Sequence, residues 1–434
     1  MHHAELPIAL ILIASIILIA KFAQEKGKIP LPYTFIILAY SMEKLVPDLI
    51  PDTFRTHFDA NVLFLIPLIF MGDLLHLQWK DIYQHKFSIL YLSVVSVALS
   101  IIAGASLYYL DLLPQLTIGM YVALFSIVMA TDAISVQGVL SQFKGIPHKV
   151  KILFEGESIG NDATAMIAFY FVGVPWIMYN TFDFSTLPLI FFKVFVGSII
   201  LGLLSGYLGY LIMKIFKDTR SETLVIIVTS YISFLSAEYF HLAGIASIIA
   251  AIILLKALSD RDIERDLTLA AQKSRDDHNP KSLTKFLTTS STTKERMESV
   301  QHTVSDYGYF ASVFIFIALA EMIKIDDLVK YWDAILIVFA ATTIIRALSM
   351  AKFVWIGRNT EHIAHLDFQG WFVLTMAGMK GALSIIMVHA LPADFALKEM
   401  FEAIVVGVIL MSIFFNGLAL IIYFNVTKEA SDVH

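Results

Sequence analysis

The sequence predicts an all-α polytopic membrane protein of about thirteen transmembrane helices. Three observations carry that prediction. Of the 434 residues, 58% are hydrophobic and 16% are charged, against about 45–50% and about 25% in soluble domains. The apolar residues gather in runs long enough to cross a bilayer, for which about 20 are needed. No alternation of apolar and polar residues between turn signals recurs, so helices rather than a closed barrel must satisfy the backbone in lipid. The absence of cysteine excludes disulfides and thiolate metal sites. A net charge of −6 offers no basic surface for nucleic acid.

The apolar segments fall at about 6–23, 30–47, 60–77, 87–110, 116–141, 152–179, 187–216, 223–240, 242–257, 307–325, 332–355, 369–391 and 401–425. The first follows Met1-His2-His3-Ala4-Glu5, and its apolar run, to about Ala20, precedes Lys21, Lys26 and Lys28. A cleaved signal peptide carries its positive charge ahead of the apolar stretch, so this one reads as a retained span. The second is interrupted by Pro30 and Pro32.

The connections then alternate in charge. The odd ones carry Lys21/Lys26/Lys28, Lys80/Lys86, Lys144/Lys149/Lys151, Lys214/Lys217/Arg220, a long loop after Lys256, and Lys352/Arg358. Those at 111–114, 180–186 and 240–241 carry no Lys or Arg. Positive charge stays in the cytoplasm, so the expected orientation is N-terminus outside and C-terminus cytoplasmic, in an inner or plasma membrane. The alternation also supports an odd number of spans. One transmembrane domain is expected over 1–434. Within it, 258–304 reads as a hydrophilic cytoplasmic loop, a solvated linker with room for a surface helix; a regulatory lid is the sharper alternative. Residues 426–434 read as a short cytoplasmic tail.

Ionisable groups within a bilayer are costly and mark ion or proton pathways by default. Asp132, Asp162, Arg346 and Lys380 each lie about nine to eleven residues from the cytoplasmic end of their span, near ~15 Å depth. Two acids and two bases from four helices thus meet at one level. Ser158 and Asp162 are i,i+4 and share a face, offering a hydroxyl and a carboxylate to an alkali cation. Glu157 and Asn161 share the next face, and Arg346 has the reach and fork to pair with buried Glu157. Thr131 beside Asp132 in mid-span competes for backbone hydrogen bonds and can open the helix. Gly378 and Gly381 flank Lys380 in the twelfth segment. Interrupted helices at matching places point to a transporter's substrate site, and Asp132 and Lys380 can neutralise the half-helix ends. Glu155 and Asp73, toward the cytoplasmic mouth, suit a cation-attracting funnel. The histidines form no metal-ligand cluster in the sequence. His362 and His365 read as solvated loop, with proton sensing as the sharper alternative.

Several stretches together carry a resemblance. They are Ala130-Thr131-Asp132, Glu155-Gly156-Glu157-Ser158 with Asn161-Asp162, and Arg346-Ala347-Leu348-Ser349. Trp371 with Gly378-Met379-Lys380-Gly381-Ala382-Leu383-Ser384 adds to them, and Gly244-Ile245-Ala246 does so less closely. From about residue 6 to 425 the chain resembles the NhaP/NHE-type monovalent cation:proton antiporter (sodium/proton exchanger) family. It departs from that pattern at Lys380, where the family usually has Arg, and at Met71-Gly72-Asp73, where the acid follows the glycine instead of preceding it. The stretch at about 258–288 is longer than is common there.

The resemblance implies an NhaA/NhaP-like antiporter fold with inverted repeats and two interrupted crossing helices. It implies a homodimer whose protomers each have a dimerisation region and a core region moving by elevator-like alternating access. The cation and proton site would map to Asp162, Asp132, Ser158 and Thr131, the last through its backbone carbonyl. Asn161 before Asp162, in place of a second aspartate, goes with electroneutral one-for-one exchange. The expected activity is then secondary transport: Na⁺, or alternatively K⁺ or Li⁺, and H⁺ compete for buried Asp162, in the service of pH and sodium homeostasis. No enzyme activity and no cofactor are expected, and the partners are monovalent cations, protons, membrane lipids and a second copy of the chain. A cation-coupled solute symporter could use the same carboxylates, but no roomy aromatic pocket stands out in the sequence. An intramembrane aspartyl enzyme would need Asp132 and Asp162 as a dyad, and the nearby bases argue for ion pairing instead. A channel would need a repeated carbonyl filter, of which the sequence shows no sign.

Overall fold

The computed structural model describes residues 5–27, 29–45, 58–143, 146–276 and 280–432. His2, His3, Lys28 and Lys144, and the end of the second apolar segment, lie outside the described residues. Among the described residues the regular structure is entirely helical, as expected for a bilayer interior that offers no water to a loose backbone.

Over its described residues, each apolar segment falls on a helical stretch. α1 is Glu5–Gly27, α2 Leu31–Leu45 and α3 Phe58–His76. α4 covers Trp79–Leu110 with a π-helical turn at Tyr91–Ser96. The fifth is split into α5a, Ile118–Met129, and α5b, Ala133–Leu140. α6 is His148–Tyr179 and α7 Phe184–Met213. α8 is Thr219–Tyr239, α9 Gly244–Asp276 and α10 Pro280–Met322. α11 is Trp332–Asn359. The twelfth is split into α12a, Phe368–Met376, and α12b, Ala382–His389. α13 is Lys398–Thr427. Among the described residues, seven stretches are long and apolar enough on their own to cross a membrane: α4, α5 with its break, α6, α7, Lys294–Met322 of α10, α11 and α13.

Two expectations shift in detail. Pro30 and Pro32 do not break the second helix; they start it, because a proline in the first turn gives up an N–H that has no helical partner anyway. The hydrophilic stretch 258–304 is largely helical, since α9 runs on to Asp276 and α10 begins at Pro280. Pro280 is a helix-start signal of the same kind.

The chain divides into two compact units. The first is Met1–Leu63, Ile82–Ser185 and Ser312–His434; the second is Phe64–Asp81 and Thr186–Ala311.

In the second unit α7 lies against α9 through Gly202 and Gly206. A Cβ on Gly206 would stand 2.8 Å from the Ala251 Cα, and one on Gly202 2.8 Å from the Ala250 Cβ. Small residues one turn apart let backbones approach where lipid supplies no hydrophobic drive. Polar ties join the helices of this unit. Tyr210 donates to Asp262 at 2.5 Å, Lys214 pairs with Asp262 at 3.1 Å, and Arg296 donates to buried Glu222 at 2.9 Å. The buried Lys256 ammonium donates to the Leu75 carbonyl at the end of α3.

In the first unit α6 packs on α4 by the same device. Cβ atoms on Gly156 and Gly160 would meet Ile89 Cδ1 at 2.8 Å and Ser93 Cβ at 2.5 Å. Leu92, Val139, Leu153, Phe353, Val373, Met379 and Leu420 form a fully buried core around the two split helices. The split helices are therefore held by packed neighbours, which is what keeps an irregular backbone tolerable at membrane depth.

Candidate functional site

The breaks in the fifth and twelfth helices face each other. α5a ends at Met129, and Ala130 and Asp132 turn extended (ψ 137° and 106°) before α5b begins. α12a ends at Met376, and Gly381 is extended before α12b. The two extended stretches are tied where the Asp132 N–H donates to the Met379 carbonyl at 2.9 Å. The approach is tight enough to require glycine. A Cβ on Gly381 would stand 2.5 Å from the Asp132 Cβ and Oδ2, and one on Gly378 would stand 2.6 Å from Arg346 Nε.

Several of the loose backbone groups then find a side chain. Asp132 caps α5b: its Oδ1 accepts from the Ile134 N–H and its Oδ2 from the Ser135 N–H, both at 3.3 Å, and Oδ2 also accepts from the Ser135 hydroxyl. A carboxylate at a helix N-terminus satisfies orphan donors and opposes the dipole. Asn161 on α6 clamps Thr131. Its Oδ1 accepts from the Thr131 N–H at 3.2 Å, and its Nδ2 donates to the Thr131 Oγ1 at 2.7 Å. Ser158, one turn earlier, donates to the Thr131 carbonyl at 2.8 Å. Ser384 on α12b donates to the Ile127 carbonyl in the last turn of α5a at 2.9 Å. The Lys380 N–H donates to Ser412 Oγ on α13 at 2.9 Å.

Arg346 on α11 is the most heavily used group. It meets Glu157 with a bidentate pair at 2.7 and 2.8 Å. Its Nε and Nη2 also donate to the Leu374 carbonyl, at 3.1 and 2.9 Å, and Nε to the Thr375 carbonyl at 3.2 Å. Those carbonyls lie in the last turn of α12a, where the helix leaves its acceptors short of donors; the Thr375 carbonyl also accepts from the Gly378 N–H at 3.3 Å. The base that meets that half-helix end is thus Arg346, where sequence alone suggested Lys380. Lys380 is buried within electrostatic range of Asp162, Glu157 and Arg346.

The first unit therefore brings together Asp132, Thr131, Ser158, Asn161, Glu157, Arg346 and Lys380, with buried Asp162 one turn beyond Ser158 on the same face of α6. Glu155 is also buried on α6. It accepts from Gln137 Nε2 of α5b at 3.0 Å and lies 3.8 Å from the Lys151 ammonium. Asp73 lies on α3 in the second unit. Sequence reasoning gave no role to Ser384, Ser412, Gln137 or the Leu374 and Thr375 carbonyls. A hydroxyl or amide within an otherwise apolar run was the available signal, since lipid gives such a group no other partner.

Chemically, the α5 break is an oxygen site. Ser158 Oγ donates to Thr131 and keeps its lone pairs, the Thr131 carbonyl has accepted one hydrogen bond of two, and Asp132 Oδ1 has accepted one. The Asn161 amide is committed in both directions and adds no charge.

The profile of the transmembrane sodium/hydrogen exchanger family matches residues 8–426. The Na(+)/H(+) antiporter NhaH of Halobacillus dabanensis is 26% identical over 435 residues, 96% of each chain. The low-affinity Na(+)/H(+) antiporter NhaS1 of Synechocystis sp. is 24% identical over 89% of this chain and 68% of its own. The solved structure of the sodium proton antiporter MjNhaP1 from Methanocaldococcus jannaschii superposes with a TM-score of 0.69, covering 95% of this chain and 96% of that one. At 17% identity that likeness speaks for the fold alone. With the family profile spanning nearly its whole length, the chain belongs to the transmembrane sodium/hydrogen exchanger family.

Proposed function

We propose that the protein exchanges a monovalent cation, Na⁺ foremost, for protons across a membrane. The observation that carries the reading is the α5 break, where Ser158, on the same α6 face as Asp162, donates to the Thr131 carbonyl at 2.8 Å. Asp162 is the carboxylate that cation and proton contend for; Ser158 Oγ, the Thr131 carbonyl and Asp132 Oδ1 complete the cation's shell. One carboxylate holds one or the other. Either ligand neutralises it, and a neutral site crosses the membrane more readily than a bare charge. Coupling then follows from competition: the empty, charged site crosses reluctantly, and binding of either ligand releases the transition.

Asn161 stands where a second acid would add a second charge. Its amide is spent on Thr131, so each cycle carries one cation against one proton and no net charge. Arg346 and Glu157 serve as architecture, and Lys380 offsets the acids nearby. Glu155 is read as an attractor at the mouth of the site, a role in which its tie to Gln137 and proximity to Lys151 hold it in place. The reading also takes the protein as a homodimer with its N-terminus outside and its C-terminus in the cytoplasm.

The test is exchange in proteoliposomes, with Na⁺, K⁺ and Li⁺ each titrated against pH. Asp162→Asn should abolish cation-driven proton movement while leaving a folded protein; exchange retained in that variant would overturn the assignment.

A further inference from the structure

Away from the crossing, the first unit holds a cavity of about 710 Å³ between the start of α4, the start of α6 and the loop from α11 to α12a. Its walls carry Lys149, Arg358, His85, His362 and His365 against a single acid, Glu361. Amide and hydroxyl donors line much of the rest. The volume lies within the ~300–1,000 Å³ usual for small-molecule sites.

The cavity is built from anchored parts. The Lys149 ammonium donates to the His365 carbonyl, and the Ala364 N–H donates to buried Ser88 Oγ of α4 at 2.8 Å. The loop lies directly on the end of α11, where a Cβ on Gly357 would stand 2.6 Å from the Ala364 oxygen. Two helices and a glycine contact thus hold the wall that carries the two loop histidines. Arg358 is exposed and forms no ion pair among the described residues, which leaves its planar five-donor fork for a ligand.

We propose that this cavity binds a phosphate-bearing anion, a mono- or diester, on Arg358, Lys149 and the loop histidines. A wall rich in cationic and neutral donors and nearly without acids matches a tetrahedral oxyanion, and guanidinium recognises phosphate in bidentate fashion. The same chemistry is offered by the headgroup of an anionic phospholipid and by a soluble organophosphate. The position gives binding a consequence. The loop enters α12a through Asp367, whose Oδ1 caps the Gly370 N–H at 2.8 Å, and the far end of that half-helix is the one Arg346 holds. A ligand that bridges Arg358 and the loop braces the approach to the crossing.

The experiment reads binding directly, so it succeeds or fails independently of ion exchange. Thermal melts of the purified protein are recorded in neutral detergent with inorganic phosphate or glycerol phosphate, and in nanodiscs of phosphatidylglycerol or of phosphatidylcholine. The comparison is the variant carrying both Arg358→Gln and His362→Gln. One set of arms should raise the melt of the wild type: the soluble phosphates if the ligand is soluble, phosphatidylglycerol alone if it is a headgroup. The variant should need about tenfold more ligand for the same rise. No rise in any arm, or a variant that responds like the wild type, overturns the proposal. If the double change lowers the ligand-free melt, His362→Gln alone is judged by the same criterion.

Discussion

Arg346 does two things with one guanidinium. It neutralises Glu157 through two short parallel hydrogen bonds and it satisfies the last carbonyls of α12a. Removing one partner of a buried pair leaves a bare charge, at a cost of about 3–5 kcal/mol. Glu157→Gln and Arg346→Gln should each lower stability on that scale. Arg346→Gln should be the worse, because it also removes both guanidinium donors to the Leu374 carbonyl and one donor to the Thr375 carbonyl. The double variant should cost clearly less than the two singles added together. Thermal melts of the four-member cycle check this, and additive losses would argue against the pair. Gly381 makes a second case at this scale. A methyl group there would collide with the Asp132 side chain, so Gly381→Ala should lose about 1–3 kcal/mol of stability. It should lose exchange with it, whereas a distant Gly27→Ala, which would meet Ile29 at an ordinary 3.4 Å, should do neither.

Among the elements, the two split helices matter most. A membrane interior has no water to finish a broken helix, so every loose N–H and carbonyl needs a side chain from elsewhere. Here Asn161, Ser158, Ser384, Arg346 and Ser412 supply them from α6, α12b, α11 and α13. Asn161→Ala removes both bonds to Thr131 and should cost about 1–3 kcal/mol in a melt, with loss of exchange; an unchanged melt would mean that the break holds itself open. Much of this was legible in the sequence. Thr131-Asp132 and the pair Gly378 and Gly381 are visible as interruptions, because polar and glycine residues conflict with an apolar helix. The Glu157–Arg346 pair is visible because two lone buried charges of opposite sign need each other. Which side chain caps which end was not legible. Lys380 and Arg346 sit at similar depth, and only packing decides that Arg346 meets the α12a carbonyls. The helical character of 258–304 was hidden for another reason: its charges look like a linker when read for composition, while Pro280 marks a helix start.

For the molecule as a whole, the charge count of the proposed cycle makes a prediction about voltage. With Asn161 committed to Thr131 and Asp162 carrying one ligand at a time, exchange in proteoliposomes should be insensitive to an imposed membrane potential. Rates that rise or fall with the potential would show that net charge moves in each turn of the cycle.

The bond from the Asp132 N–H to the Met379 carbonyl has a use beyond its part in the fold. It is a backbone amide at a point where the two interrupted helices touch through their main chains, so its proton is an internal reporter. If the crossing travels intact between the two sides of the membrane, this amide stays protected from deuterium throughout turnover. If the crossing must part to let an ion through, deuterium should enter at Asp132 faster with Na⁺ and a pH gradient present than at rest.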